Sequence, residues 1–309
     1  MQFDKFGDCC SRPIRRAFLA GVIATGAAWT PAVWAQQKSF VSPEAAMQAF
    51  GDAVSTSDED GLKAIFGPDV RKFVPPMGAE YRYRFLEAWA KGHGLKPEGD
   101  SKVLMTVGTD GWTFPFPILK STQGWRFDRK AGFDEMRIRR IGRNENAVAK
   151  VMLAIFDAQK DYASLDRDGD GLLEYASRTR SSPGKKDGLY WPIKAGEPES
   201  PLGPAVTSAV AAGGGRDVGY YGYRYKILQA QGSHAPGGAY DYRVRGQMLG
   251  GFAAVAWPVK YGETGVMTFI VSHDGVVYDQ DLGPNTAARA QAMTRFDPGP
   301  GWTRFDSAK

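Results

Sequence analysis

Cysteine is nearly absent from this chain of 309 residues: the two it has, Cys9 and Cys10, stand side by side near the start. Everything beyond them therefore lacks disulfides, thiolate metal ligands and a cysteine nucleophile, and must draw its stability from apolar burial. Histidine is almost as scarce, limited to His93, His234 and His273. Each lies in a predicted turn beside glycine, serine or aspartate, and no His-Glu-x-x-His pattern announces a hydrolytic zinc site. Gly-x-Ser-x-Gly and Gly-x-x-x-x-Gly-Lys patterns are missing as well, so serine-ester chemistry and P-loop nucleotide binding lack their signatures. Gly213-Gly214-Gly215-Arg216 matches a phosphate loop in composition only and reads as a linker.

A large charge of one sign is also missing. The formal net charge is +5 and falls to about +3 once the first 35 residues are set aside, too little to imply a nucleic-acid or membrane partner. Arg137, Arg139, Arg140 and Arg143 form the one basic concentration and read as a solvated face. Only one long apolar run exists, Ala17 to Ala35; it follows Arg12, Arg15 and Arg16 and ends Val33-Trp34-Ala35, a small-x-small pattern. Residues 1–35 are thus expected to be a cleavable export signal. Arg15-Arg16 ahead of Ala17-Phe18-Leu19 has the order of a twin-arginine signal. Gly21, Gly26 and Pro31 interrupt a run barely long enough to span ~30 Å of hydrocarbon, and both cysteines precede it, leaving no lipoprotein acceptor. The expected location is periplasmic or secreted, with no stable membrane insertion after cleavage.

Ser42-Pro43-Glu44 predicts a helix start, with serine as cap, proline at the first turn and an acid beside it. That helix should reach about Ser55, a second should run from Asp58 to Phe66, and a third from Tyr81 to Lys91. Lys102 to Val107, Trp112 to Leu119 and Trp125 to Asp128 then read as strands separated by Asp-Gly and Gln-Gly turns. Helices followed by an antiparallel meander make a small α+β unit over residues 39–132, whose element order resembles cystatin-like and nuclear-transport-factor-like cones.

From Asn144 to Ala163, Val148, Val151, Met152, Ile155, Ala158 and Tyr162 recur at steps of three and four, the stripe of a half-buried helix. Residues 180–215 are rich in glycine, proline and serine and are expected to be loops. Beyond them, Tyr221 to Leu228, Tyr240 to Arg245, Gly251 to Val259, Val266 to Ser272 and Val276 to Asp279 alternate as strands, with Asp274-Gly275 turning a hairpin. The fold class is therefore α+β: a small helix-and-meander unit, then a second unit over 143–309 with a long helix packed on an antiparallel sheet.

Trp125-Arg126-Phe127-Asp128, Arg140-Ile141-Gly142-Arg143-Asn144-Glu145, Ala158-Gln159-Lys160-Asp161-Tyr162, Pro183-Gly184-Lys185, Gly188-Leu189-Tyr190-Trp191-Pro192 and His273-Asp274-Gly275-Val276-Val277-Tyr278 give the chain its likeness. On these residues, with the Asp-Gly-Asp-Gly loop, it resembles the exported bacterial family grouped as a domain of unknown function, DUF 2950. The resemblance spans nearly all of the chain after the signal and implies no activity. Residues 143–285 are also similar to the globular half of type IV pilin-like proteins, although such proteins keep an apolar N-terminal helix that this arrangement lacks.

One stretch suggests a cofactor. Asp166, Asp168 and Asp170 take the first, third and fifth places of a calcium-loop pattern, Gly171 the sixth and Glu174 the ninth, while Ser177 stands where a bidentate glutamate is usual. Calcium held by Asp166, Asp168, Asp170 and Glu174 is one reading. The other is an Asp-Gly turn whose side chains bond their own backbone. No organic cofactor is implied. The expected function is a non-enzymatic binding or envelope-assembly module whose partner is an envelope component or small ligand. The alternative is an envelope-polymer hydrolase using the acids of 166–174, or His273 and Asp274, as acid and base.

Overall fold

The computed structural model describes residues 37–306 apart from 74–77, 194–196, 198 and 204–218. The expected export signal and the Gly213–Arg216 run lie outside the described residues.

The N-terminal helices form where their caps place them. Ser42 Oγ accepts the Ala45 N–H at 3.2 Å and starts α1 (Pro43–Thr56); Asp58 accepts from Gly61 N at 2.9 Å and starts α2 (Glu59–Phe66). A single turn, α3 (Val70–Phe73), and α4 (Ala79–Lys91) follow. Four antiparallel strands then run in sequence order: β1 (His93–Pro97), β2 (Lys102–Val107), β3 (Ile118–Ser121) and β4 (Gly124–Phe127). The first of these is unforeseen, because Gly92-His93-Gly94 carries turn chemistry. Pairing with β2 from His93↔Val107 to Pro97↔Val103 overrides that weak local preference.

The strand expected over Trp112 to Leu119 is only half formed. Pro115 and Pro117 have no N–H to give a ladder, so Thr113 makes an isolated bridge to Thr106 and regular pairing resumes at Ile118. The interrupted segment delivers Phe114 and Phe116 inward, where they join Phe50, Phe66 and Phe127 in one aromatic core.

The long helix, α5 (Arg129–Tyr162), begins at Arg129 rather than near Asn144 and runs for 34 residues. Asp128 caps it by accepting from Ala131 N at 3.1 Å. Its first half has no continuous apolar stripe, yet Lys130–Asp134 and Arg139–Glu135 pairs support it at helical spacing. Phe133 and Met136 pack on the first core, whereas Val148, Val151, Met152, Ile155, Ala158 and Tyr162 are buried in a second.

That second core is built on a five-stranded antiparallel sheet, with β5 (Arg178–Arg180) and β6 (Gly188–Tyr190) pairing in parallel beside it. The sheet comprises β7 (Tyr223–Leu228), β12 (Ala253–Pro258), β13 (Met267–Ser272), β14 (Val277–Asp281) and β16 (Thr303–Arg304), ordered β16-β14-β13-β12-β7. Short pieces β8 (Ala230–Gln231), β9 (Tyr240–Asp241), β10 (Arg243–Val244), β11 (Gln247–Met248) and β15 (Arg295–Phe296) form two small separate sheets, β15-β8-β9 and β10-β11. Every residue of β12 is buried, so both faces of the sheet are covered: α5 packs on β12 and β13, and α6 (Thr286–Ala292) on β12. The last helix escapes sequence inspection because Thr-Ala-Ala-Arg-Ala-Gln-Ala shows no amphipathic stripe. Lys226 fixes its C-terminus by donating to the carbonyls of Ala290, Gln291 and Met293.

Gly132 tests the packing of α5 on the first core. A Cβ there runs into the Phe116 ring, so Gly132→Ala, which elsewhere in a helix stabilises by up to ~1 kcal/mol, should here destabilise by about 1–3 kcal/mol through overpacking. Urea unfolding measures the sign directly.

Candidate functional site

Much of what looks chemical along α5 turns out to hold the two cores together. Glu145 Oε1 accepts the N–H groups of Val266 and Met267 at 2.8 and 3.0 Å and the Tyr223 hydroxyl at 3.4 Å. Burial, with the Glu145 charge beside it, pushes the Tyr223 phenol up strongly. Asn144 donates to Thr264 O at 2.8 Å. The basic cluster is more than a solvated face: Arg137 reaches Gly262 O, Arg140 reaches Glu263 O, and Arg139 donates to Thr113 O at 2.7 Å. Further along, the fully buried Gln159 both donates to Ala176 O and accepts from Ala176 N, completing a backbone with no strand partner there.

The negative end of the α5 dipole is met by Arg167. Its guanidinium donates to the carbonyls of Tyr162 and Asp161 and lies 5.9 and 5.8 Å from the rings of Tyr162 and Trp191.

The loop beyond gathers Asp166, Asp168 and Asp170 so that one oxygen of each lies within 4.8 Å of the others, all three residues exposed. Glu174 falls outside this group. Asp166 accepts from Gly169 N and Gly171 N at 2.8 and 2.9 Å, and these backbone bonds hold its carboxyl below the usual range. Asp170 accepts from Leu172 N and from Gln247. Two of the three acids thus serve the turn itself, as the Asp-Gly reading requires, while their oxygens retain lone pairs and hard-donor chemistry suited to calcium. Burial first, then repulsion from Asp168, raises the Glu174 carboxyl.

His273 and Asp274 stay apart. Asp274 Oδ2 faces Ser272 Oγ at 3.3 Å, and His273 Nε2 lies 3.5 Å from the Tyr240 hydroxyl with its Nδ1 buried and unpartnered. No hydrogen bond joins the two as an acid–base pair would need.

A concave feature lies in the other core. A cavity of about 480 Å³ falls within the ~300–1,000 Å³ of small-molecule sites. Phe50, Leu62, Phe66, Phe85, Phe114 and Met136 make its apolar wall, drawn from α1, α2, α4, the proline-interrupted segment and α5. Its polar lining is Ser57, Glu59, Arg71 and Arg82. Glu59 and Arg71 form a two-pronged ion pair.

A family model described as "Protein of unknown function (DUF2950)" matches residues 37–305, almost everything that the structure describes. The chain belongs to this family. No curated protein and no solved structure matches it, so the likenesses to pilin-like proteins and to cone folds have no matching structure behind them. In this DUF2950 protein the residues that carry the family likeness, Asn144, Glu145, Gln159, Tyr162 and Trp191 among them, are those that fasten α5 to its surroundings. The cavity is a feature that sequence reading missed. Its one legible sign is Phe114-Pro115-Phe116-Pro117, an apolar run that cannot complete a ladder.

The raised Glu174 carboxyl has a defined pH consequence. A carboxyl whose folded pKa exceeds its unfolded value stabilises the fold below the unfolded pKa and loses that contribution as pH rises through the folded one. Glu174→Gln should therefore raise stability at pH 7 and flatten the fall in stability above about pH 4.5, as read from urea midpoints across pH 4–8.

Proposed function

We propose that this exported protein is a binding module rather than an enzyme, and that it holds a small, mainly apolar molecule in the cavity of its first core. The observation that carries the reading is the cavity itself: a largely aromatic wall with few polar groups, the composition of a ligand site. The hydrolase alternative gains no support from His273 and Asp274, which do not pair, or from the loop acids, two of which are committed to backbone N–H groups. An envelope component or a small molecule passing through the periplasm is the ligand source that an export signal at residues 1–35 would imply.

The test is titration with N-phenyl-1-naphthylamine, a neutral dye that fluoresces in dry sites. Saturable binding of one dye per chain is expected, and Leu62→Trp, which fills the cavity, should abolish it while leaving the melting temperature unchanged or raised. Dye binding that survives this substitution, or none in the parent chain, overturns the reading.

Calcium enters the proposal only as a stabiliser of the acidic loop. The Asp168 carboxylate makes no hydrogen bond to the turn, so Asp168→Ala removes a ligand without removing a side-chain contact of the loop. Millimolar calcium should raise the melting temperature relative to EDTA, magnesium should do so less, and the variant should lose the rise; equal melts for parent and variant in calcium leave the loop a plain acidic turn.

A further inference from the structure

The cavity lining is not electrically neutral. Glu59 and Arg71 offset one another in their ion pair, which leaves Arg82 as the remaining charge among the described lining residues. Its Nε is buried and has no hydrogen-bond partner. The guanidinium lies over the ring of Tyr83, 5.4 Å from its centre, a contact that satisfies none of its donors. A buried donor without a protein partner is a standing cost in a folded protein, and of the five such side-chain atoms among the described residues this one belongs to the cavity lining.

From these observations we infer that Arg82 is the anchor for the acidic end of the ligand, and that the ligand is a monoanionic amphiphile: a carboxylate on an acyl chain or an aromatic ring. This deepens the binding-module reading and rests on it. A carboxylate supplies two acceptors that match the guanidinium fork, and one negative charge balances the one uncompensated positive charge. The low dielectric of the phenylalanine wall strengthens that pairing and favours an apolar remainder. Other classes fit less well. A cation meets Arg82 and finds Glu59 already paired; a sugar brings hydroxyls that Phe50, Phe66, Phe85 and Phe114 cannot satisfy; a nucleotide brings several charges to a single unpaired arginine.

Isothermal titration of the full mature chain with octanoate, octan-1-ol, octylammonium and propionate separates the possibilities. Octanoate should bind at least tenfold more tightly than octanol, propionate should bind too weakly to detect, and octylammonium should not bind. Arg82→Gln should reduce octanoate affinity to that of octanol and leave octanol unchanged, the retained octanol binding showing that the variant is folded. Equal affinities for octanoate and octanol in the parent chain would overturn the anchor role while leaving the cavity as an apolar site. Preference for octylammonium would overturn it in favour of Glu59. Absence of binding by every eight-carbon probe, together with a failed dye titration, would remove the binding module itself. Retention of the octanoate preference in Arg82→Gln would show that another group holds the acid and so end the inference.

Discussion

The carboxylate of Glu145 sits where the structure can least spare it. It lies midway along a helix of about 50 Å whose first half packs on one core and whose second half packs on another. By accepting the consecutive N–H groups of Val266 and Met267 and the Tyr223 hydroxyl, it fastens the start of β13 to the helix. Such charge-assisted bonds are stronger than neutral ones, and removing the acceptor leaves partly buried donors without partners. Asn144, Arg137 and Arg140 bond the neighbouring turn at 262–264, so the helix meets the turn between β12 and β13 along a polar seam rather than through apolar packing alone.

The first core owes its hollow to a different constraint. Two prolines in five residues deny a strand to Thr113–Pro117, and the helices around it cannot close over the irregular backbone as they would over a flat sheet. Phe114 and Phe116 fill part of the space, and the remainder is the cavity. Arg139 steadies the segment from α5 through Thr113, so the same long helix that organises the second core also props the wall of the first.

Local chemistry made part of this legible. Ser42, Asp58 and Pro43 mark helix starts because capping depends only on neighbours a few residues away, and the stripe from Val148 to Tyr162 marks a buried helix face. The acidic loop was likewise visible as a turn, and the structure gathers its three aspartates. What stayed hidden depends on distant partners. β1 forms because β2 is there to pair with it; the first half of α5 is helical although its faces are shared between ion pairs and a glycine under Phe116; the charge that caps its end is Arg167, one residue past the acid expected to bind metal. The cavity is hidden most completely, since Phe50, Phe66 and Phe85 read in sequence as ordinary core residues. Only the three-dimensional arrangement shows that they do not fill the space they enclose.

The division of α5 between two cores also orders events during synthesis. All the residues of the first core lie between Phe40 and Met136, so it can close as soon as that stretch has left the ribosome. The apolar stripe from Val148 to Ile155 has no such neighbour to hand. Its partners on β12 and β13 come roughly a hundred residues later, and at ~5–20 residues per second the stripe waits on the order of ten seconds, without a cover of its own. Nascent chains halted before β13 therefore carry a finished N-terminal half attached to a sticky helix, which makes the C-terminal half the place where a chaperone is needed and where truncated products aggregate.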